Sequence, residues 1–245
     1  PEMELNDHAL EERIKAHHGE KDASLVLTDT LTDRVFKHLE DGKNVILFYH
    51  RDNPGNRYYW PGALERFKPC IWDRGSNLGG VIDSEYLRKE LASGRYFDLN
   101  MQALLEGKYK ICLDDFPVKT EEFIFGIDKP VRDRMKGLIH GVKDFSHLFS
   151  VKVGKGTLIV CTIVSGGQFS SPASDTFLAA LLNGATEFAT EKAIEPAVLK
   201  QYLADETAKG ERREDVMNHF WEIDNKPVED TLFWEQTGID LSKLH

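Results

Sequence analysis

Serine and glycine are concentrated in one segment that follows an apolar stretch, Ser165-Gly-Gly-Gln-Phe-Ser-Ser171. A hydrolase built on an α/β sheet needs its nucleophilic serine or cysteine on a sharp strand-to-helix turn flanked by glycine. The sequence contains neither G-x-S-x-G nor G-x-C-x-G, so we interpret the two glycines as a tight turn above the sheet. A small hydrolase that uses Ser165, Ser170 and Asp175 at the carboxyl ends of the strands remains an alternative.

Aromatic residues cluster in two segments with loop-like composition. Arg57-Tyr-Tyr-Trp60 lies among prolines and glycines, and Trp72-Asp-Arg74 follows within a second ordered loop. Aromatic rings can stack on sugar rings, while aspartate and arginine can hydrogen-bond to hydroxyl groups. The sequence therefore predicts a carbohydrate-binding site formed by Tyr58, Tyr59, Trp60, Trp72, Asp73 and Arg74. The alternative is that these rings pack against the core.

Other reactive residue types do not occur at spacings that predict a catalytic or metal site. The adjacent His17 and His18 point about 100° apart on a helix. The adjacent Asp114 and Asp115 face opposite ways on an extended chain. Neither common glycine-rich phosphate loop occurs in the sequence. We therefore expect no catalytic residue, no metal and no cofactor in this chain.

Composition excludes several classes of partner. The chain has 245 residues, and its 31 basic and 41 acidic side chains give a formal net charge of −10. This balance argues against binding to nucleic acid or to an anionic membrane, both of which attract basic surfaces. The three cysteines include no C-x-x-C pair, which argues against a disulfide scaffold or a zinc ribbon. Cys112 and Cys161 lie in apolar runs, which predicts buried thiols.

Alternating helix and strand signals in the first part of the chain predict how these residues are positioned. A short helix is expected over residues 8–18, followed by a buried strand at Ser24–Thr28 and another at Asn44–Tyr49. Thr30 is expected to cap the intervening helix, which Asp41-Gly42 ends. Uniformly apolar strands joined by helices imply a mostly parallel sheet covered on both faces.

The later part of the chain predicts further strands and a long helix. Short strands are expected at 109–113 and 122–127, and a helix at 84–93. Alternation over His147–Val153 predicts a half-exposed strand, paired through a Gly154-Lys-Gly156 turn with an apolar strand at 157–164. We expect this antiparallel hairpin at the edge of the sheet. Ser171 and Pro172 begin a helix whose apolar face extends to Phe188. Residues 1–205 are expected to form one α/β domain, and 206–245 an aromatic C-terminal extension.

Five segments, in order, resemble the motifs of one known protein family. Leu39–Leu47 resembles L-x-x-G-K-x-V-L-L, and Phe67–Trp72 resembles F-x-P-x-x-W. Phe97–Leu105 lies where the family has an aromatic helix. Phe149–Cys161 is similar to F-E-x-K-V-G-K-G-K-L-L-V-C, and Pro172–Ala189 to the helix that follows it. That family is the C-terminal α/β module of certain bacterial family 2 glycoside hydrolases, the β-galactosidase-like enzymes, and the resemblance spans about residues 30–205. Asp83-Ser84-Glu85 stands where the family has His-Pro, and the family's tryptophan pair is missing.

The resemblance implies a flavodoxin-like, glutamine-amidotransferase-like sheet without the amidotransferase nucleophile. The hydrolytic carboxylates of these enzymes belong to a TIM barrel, which this chain is too short to contain. The chain is therefore expected to be a non-catalytic accessory module. Its partners would be the catalytic domain of a parent glycoside hydrolase or a neighbouring subunit. A stand-alone carbohydrate-binding domain is the alternative.

Apolar runs in the sequence are all shorter than the roughly 20 residues that cross a bilayer. The chain begins Pro1-Glu2-Met3 without a signal-peptide pattern, which suggests a fragment or a processed chain. The sequence leaves the cellular compartment open.

Overall fold

A computed structural model describes residues 1–17, 24–50, 53–60, 63–65, 80–96, 104, 109–113, 116–126, 145–163 and 171–207. In this part of the chain, ten strands form one mixed sheet. The strands are β1 Glu2–Glu4, β2 Leu25–Thr28, β3 Asn44–Phe48, β4 Ala63–Glu65, β5 Gly80–Ile82, β6 Tyr109–Cys112, β7 Glu121–Gly126, β8 Phe145–Val153, β9 Gly156–Cys161 and β10 Ala193–Ile194.

The helices of the described residues are α1 His8–His17, α2 Asp33–Glu40, α3 Glu85–Glu90, α4 Pro172–Asn183 and α5 Pro196–Thr207, with a 3₁₀ helix at Ala185–Phe188. Together with the sheet, they confirm the expected α/β fold with helices on both faces. None of them is both long and apolar enough to cross a membrane.

Strand order along the sheet is β1-β2-β3-β9-β8-β6-β4. The first four of these strands are parallel to their neighbours. Beyond β9 the sheet becomes antiparallel, because β8 runs opposite to β9, β6 and β7. β10 pairs with β8, β5 with β7 and β4 with β6. The parallel half of the sheet therefore ends where the β8–β9 hairpin begins.

Alternate residues of the parallel strands face two separate hydrophobic cores, as the period of two in a strand requires. Leu25, Ile46 and Ile159 contribute to the core that contains α1, α3 and α4. Their neighbours Val26 and Val45 contribute to the core that contains α2 and α5. Each buried aliphatic side chain of this kind stabilises the fold by about 1.5–3 kcal/mol. Both faces of the sheet are therefore covered, which explains why these strands are apolar at nearly every position.

The β8–β9 hairpin differs in two ways from the expectation. It lies inside the sheet, since β9 also pairs with β3 and β8 also pairs with β7. The described side chains of β8 are buried except that of Lys152, which is partly exposed. The expectations of an edge position and a half-exposed strand were therefore wrong. Serines at 146 and 150 mimic the polar face of an exposed strand, but both serines are fully buried.

Helix boundaries follow local signals at most positions. Ser171 caps α4, and Ser174 completes a reciprocal capping box with Pro172 at the first helical position. Gly42 ends α2 with φ +88°, the left-handed conformation that glycine adopts at low cost. Thr30 does not cap α2, because its hydroxyl lies 3.3 Å from that of Thr28 and the helix begins at Asp33.

Candidate functional site

Polar side chains lie where the parallel strands end. Asp29 directly follows β2, His50 comes two residues after β3, and Thr162 directly follows β9. Because β8 runs antiparallel to β9, it brings His147 to the same edge, and the backbone N–H of Thr162 donates to the carbonyl of His147 at 2.9 Å. Open α/β sheets bind ligands at the carboxyl ends of their strands. This edge is therefore the candidate functional site.

Asp29 is the buried carboxylate of this edge, with 4% of its surface exposed. Its Oδ2 accepts hydrogen bonds from the backbone N–H groups of Asn6 at 2.8 Å and Asp7 at 2.9 Å, which lie between β1 and α1. Its Oδ1 is buried and has no hydrogen-bond partner among the described residues. A carboxylate oxygen without a donor is costly inside a protein, so this atom marks Asp29 as a candidate binding group of this edge.

Asp29 lies where the chain leaves two neighbouring strands towards opposite faces of the sheet. The connection after β1 leads to α1 on one face, whereas the connection after β2 leads to α2 on the opposite face. Both connections lead to the next strand in the same direction along the sheet. Because their helices lie on opposite faces, the two connections have opposite handedness, although right-handed connections are strongly preferred. In open α/β sheets, strand ends whose connections diverge in this way are where ligand-binding crevices occur. Asp29 joins the two strand ends here, since it follows β2 and accepts from the backbone after β1.

Two asparagines hold the segment after β3 over the segment after β2. The side-chain amide of Asn53 donates to the carbonyl of Asp29 at 3.0 Å. The buried Asn56 accepts from the backbone N–H of Leu31 at 2.8 Å and donates to the carbonyl of His50 at 2.9 Å. These bonds satisfy backbone groups that no strand neighbour reaches. Residues 53–56 thereby form a short cover beside Asp29, which we call the Asn53–Asn56 cover.

Glycine at position 55 allows this cover to lie close to the crevice. A Cβ atom there would lie 2.6 Å from Cγ2 of Thr30 and 3.0 Å from Nδ2 of Asn6. Larger residues would therefore push the cover away from the loops after β1 and β2. The close approach places the side-chain amide of Asn6 and the side chain of Thr30 beside residue 55.

His147 and Thr162 form an imidazole–hydroxyl pair, with 3.3 Å between Nδ1 and Oγ1. Each side chain is 3% exposed. A hydroxyl beside an imidazole is the geometry of an activated nucleophile, but such a nucleophile must reach its substrate. In this structure both groups are enclosed at the start of β8 and the end of β9.

The structure describes three of the predicted carbohydrate-binding residues, Tyr58, Tyr59 and Trp60, and they differ in burial. Trp60 is fully buried and contacts Phe149 and Phe116 with ring centroids 5.2 and 5.3 Å apart. This position does not suit Trp60 for stacking on a sugar. Tyr58 and Tyr59 are partly exposed, and their role in carbohydrate binding stays a prediction.

Tyr58 is also tied to a charged group on α2. Its hydroxyl donates to Oδ1 of Asp33 at 2.6 Å, and Arg57 donates to Oδ2 of the same carboxylate. The hydrogen bond from Tyr58 lowers the pKa of Asp33, with further lowering by the charges of Arg57 and Lys200. The same hydrogen bond raises the pKa of Tyr58. The ring packs edge-on against Phe36 at 5.3 Å, so the hydroxyl is held in place.

Several residues named from the sequence lie outside the described residues. These are Trp72, Asp73, Arg74, Ser165, Ser170, His18, Asp114, Asp115 and residues 208–245. Asp175 is described and lies in the first turn of α4, where Arg13 of α1 donates to its Oδ1 at 2.8 Å. This bond joins two helices on the same face of the sheet. The buried thiol expected at Cys161 is confirmed, with 0% of the residue exposed.

One other acidic cluster lies near the edge strand β1. Ligand atoms of Glu2, Glu4 and His38 lie within 4.8 Å of one another. However, Lys43 bonds to Glu2 at 2.6 Å and Arg34 to Glu4 at 2.6 Å. The Lys43 hydrogen bond also lowers the pKa of Glu2. Because the protein's own cations neutralise both carboxylates, this cluster is an ion-pair network and fits a metal ion poorly.

Sequence reasoning did not identify Asp29, although one signal was present. Thr28-Asp-Thr30 is the first polar run after a buried strand, and in a parallel sheet such a run lies at the edge where ligands bind. The unpartnered Oδ1 and the Asn53–Asn56 cover, by contrast, depend on contacts between residues more than 20 positions apart.

A family model described as a domain of unknown function, DUF8487, matches residues 26–204. These residues include the parallel strands β2, β3 and β9 and most of the sheet described above. No curated protein matches the chain.

Proposed function

The chain belongs to the DUF8487 family, and on this premise we propose that it is a non-catalytic accessory module of a carbohydrate-active enzyme of the glycoside hydrolase family 2 type. In this role the module supports the catalytic domain, the access of substrate or the contacts between subunits. The resemblance over residues 30–205 covers nearly the same stretch as the family match at 26–204. The ordered segments that carry the resemblance therefore fall within one family unit.

The inward position of Trp60, together with the attachment of Tyr58 to α2, is the observation that carries the proposal. Trp60 is fully buried between β8 and α5 side chains, and Tyr58 is held by Asp33. A stand-alone binding domain that stacks sugars on this segment would expose its ring faces. Here the rings join the sheet to its helices, which favours a supporting module over a binding domain built on these residues.

Three reactive groups outside the Asp29 site are engaged in structural contacts or enclosed. Asp175 joins α4 to α1 through Arg13, Cys161 is buried within β9, and Thr162 is enclosed beside His147. These contacts favour the non-catalytic role over the alternative of a small hydrolase. The proposal that the chain is not an enzyme by itself rests on them together with the missing nucleophile motifs in the sequence.

The test is to isolate the natural gene product and to determine the polypeptide to which this chain belongs. We expect intact mass and peptide mapping to find a glycoside hydrolase catalytic domain in the same polypeptide or in a subunit that copurifies with it. A purified product without such a domain or subunit would contradict the proposal.

A second measurement distinguishes the proposed accessory role from the alternative of a small hydrolase. The chain is incubated with nitrophenyl glycosides and nitrophenyl esters, beside a variant with Ser165→Ala, Ser170→Ala and Asp175→Ala. We expect no turnover by either protein. Turnover by the natural sequence that the triple variant loses would establish the alternative instead.

A further inference from the structure

We propose that Asp29 anchors a small neutral ligand that bears hydroxyl groups, of the monosaccharide class, in the crevice between the carboxyl ends of β1 and β2. This inference deepens the proposed function, on which the choice of sugars as ligands rests. The site is distinct from the aromatic segment, since it uses a carboxylate and amides in place of ring faces. It also lies where open α/β sheets bind ligands.

The two oxygens of Asp29 have different surroundings. Oδ2 is satisfied by two backbone N–H groups at 2.8 and 2.9 Å. Oδ1 is buried, and no described residue donates to it. A buried acceptor without a partner is unfavourable, and native proteins rarely retain one without an explanation. A hydrogen-bond donor on a bound ligand explains why no described residue donates to Oδ1.

The nearby side chains indicate the chemistry of that donor. Amide and hydroxyl side chains lie in the loops at this position, namely those of Asn6, Thr28, Thr30 and Asn53. The carboxylate of Asp7 in the same loop is engaged by backbone N–H groups at the start of α1. No lysine or arginine in the described ranges bonds to Asp29, so an anionic ligand would meet an unshielded carboxylate. The two N–H groups on Oδ2 already stabilise the negative charge. A neutral hydroxyl donor therefore suffices, and the flanking amides can both donate to and accept from adjacent hydroxyls.

The Asn53–Asn56 cover defines how a ligand would enter. Pro54 and Gly55 are exposed on its outer side, while Asn53 fastens its start to the carbonyl of Asp29. For a ligand to reach Oδ1, residues 53–55 would have to move, which breaks this side-chain bond and the backbone hydrogen bond from Asn53 to His50. Buried Asn56 stays bonded to Leu31 and His50 and serves as the fixed end of the cover.

The experiment titrates the ¹⁵N-labelled chain with galactose, glucose and rhamnose at millimolar concentrations. We expect the backbone amide resonances of Asn6 and Asp7 to shift saturably with at least one sugar, because their N–H groups bind the carboxylate that the ligand engages. This readout needs no variant, so it does not depend on how well a mutant folds.

Two substitutions assign the effect to the carboxylate. Asp29→Asn retains one oxygen for the two N–H groups but replaces the other with a donor, and we expect affinity to fall at least about tenfold. Asp41→Asn removes an equally charged but exposed carboxylate after α2 and should bind as the natural sequence does. Circular dichroism establishes that both variants are folded. An Asp29→Asn variant that is unfolded leaves the amide titration of the natural sequence to decide the question.

The proposal is overturned if no sugar shifts the amides of Asn6 and Asp7, or if a folded Asp29→Asn variant binds as tightly as the natural sequence. It is also overturned if potassium or calcium chloride shifts these amides and the sugars do not, since the open oxygen would then bind a cation. None of these outcomes bears on whether the natural polypeptide contains a hydrolase domain. A failure of this inference and a failure of the proposed function are therefore distinguishable.

Discussion

The turn between β8 and β9 places Gly156 against the backbone that joins α2 to β3. A Cβ atom on residue 156 would overlap the carbonyl oxygen of Lys43 and lie 3.1 Å from Cα and from the carbonyl oxygen of Leu39. All three are backbone atoms, so no change of rotamer relieves the overlap. Gly156→Ala must therefore push the hairpin away from the end of α2, where Val45 pairs with Leu158.

The expected loss in the free energy of unfolding follows from the rigidity of the backbone atoms that the new Cβ atom would meet. Overpacking a well-packed site costs typically about 1–3 kcal/mol, and an overlap with backbone on both sides belongs at the upper end. We expect Gly156→Ala to lower the free energy of unfolding by about 3 kcal/mol and the melting temperature by about 6–12 °C. Urea denaturation followed by tryptophan fluorescence and by circular dichroism measures the first quantity, and calorimetry the second.

Gly94→Ala is the matched control for this prediction. Gly94 is exposed, and an added Cβ would have no heavy atom within 4 Å. Because the substitution mainly restricts the unfolded chain, we expect a change below about 1 kcal/mol. If Gly156→Ala also stays within that range, the close approach of the hairpin to the α2–β3 connection is not a feature of the folded protein.

Three further substitutions test contacts around the candidate site. Trp60→Ala should lower the free energy of unfolding by about 3–5 kcal/mol, the usual cost of removing a buried aromatic ring, whereas Tyr59→Ala should cost much less; equal losses in urea denaturation would contradict the buried position of Trp60. Tyr58→Phe should raise the pKa of Asp33 towards its ordinary value, since it removes the largest cause of the lowering. A carboxylate whose pKa is lowered by folding stabilises the protein above its unfolded pKa, and this contribution is lost as the pH falls through the folded pKa. The variant should therefore lose less stability on acidification, and an unchanged Asp33 titration in carboxyl NMR would refute the assignment. Arg13→Gln should cost about 1 kcal/mol or less through the lost ion pair with Asp175, and a deficit that persists unchanged at high salt would show that the charge is not responsible.

Much of the parallel half of the fold was predictable because its signals are local. The runs at 25–28 and 44–48 are apolar at nearly every position and too short for helices, so they predict buried strands. Ser171-Pro172 marks the start of α4 through hydrogen bonds that span only three residues. The expected hairpin at Gly154-Lys-Gly156 also formed, with Gly154 at φ +61°. Each of these features depends on neighbours within a few positions.

The errors arose where distant strands decide the outcome. Alternation in β8 predicted an exposed face, but β7 and β9 flank the strand and helices cover it on both sides. Thr30 and Thr32 both precede α2, and sequence reasoning selected the wrong one. The backbone N–H of Leu31 bonds to Asn56, 25 residues further along. That contact keeps Leu31 outside the helix, and no local pattern contains it.

The candidate site depended even more on tertiary structure. Sequence reasoning selected aromatic residues by type, yet the same ring can stack on a ligand or fill a core, and only burial distinguishes these roles. In the structure, Trp60 is buried, and Oδ1 of Asp29 lies buried beside the Asn53–Asn56 cover with no hydrogen-bond donor among the described residues.

By itself, the sequence determined the α/β class, the covered parallel strands and the acidic net charge, because these follow from composition and local periodicity. Only the tertiary structure decided that Oδ1 of Asp29 is buried without a hydrogen-bond donor among the described residues. Burial and hydrogen-bond satisfaction at Asp29 are properties of three loops that come from different strands, and their meeting is encoded in no single segment of the chain.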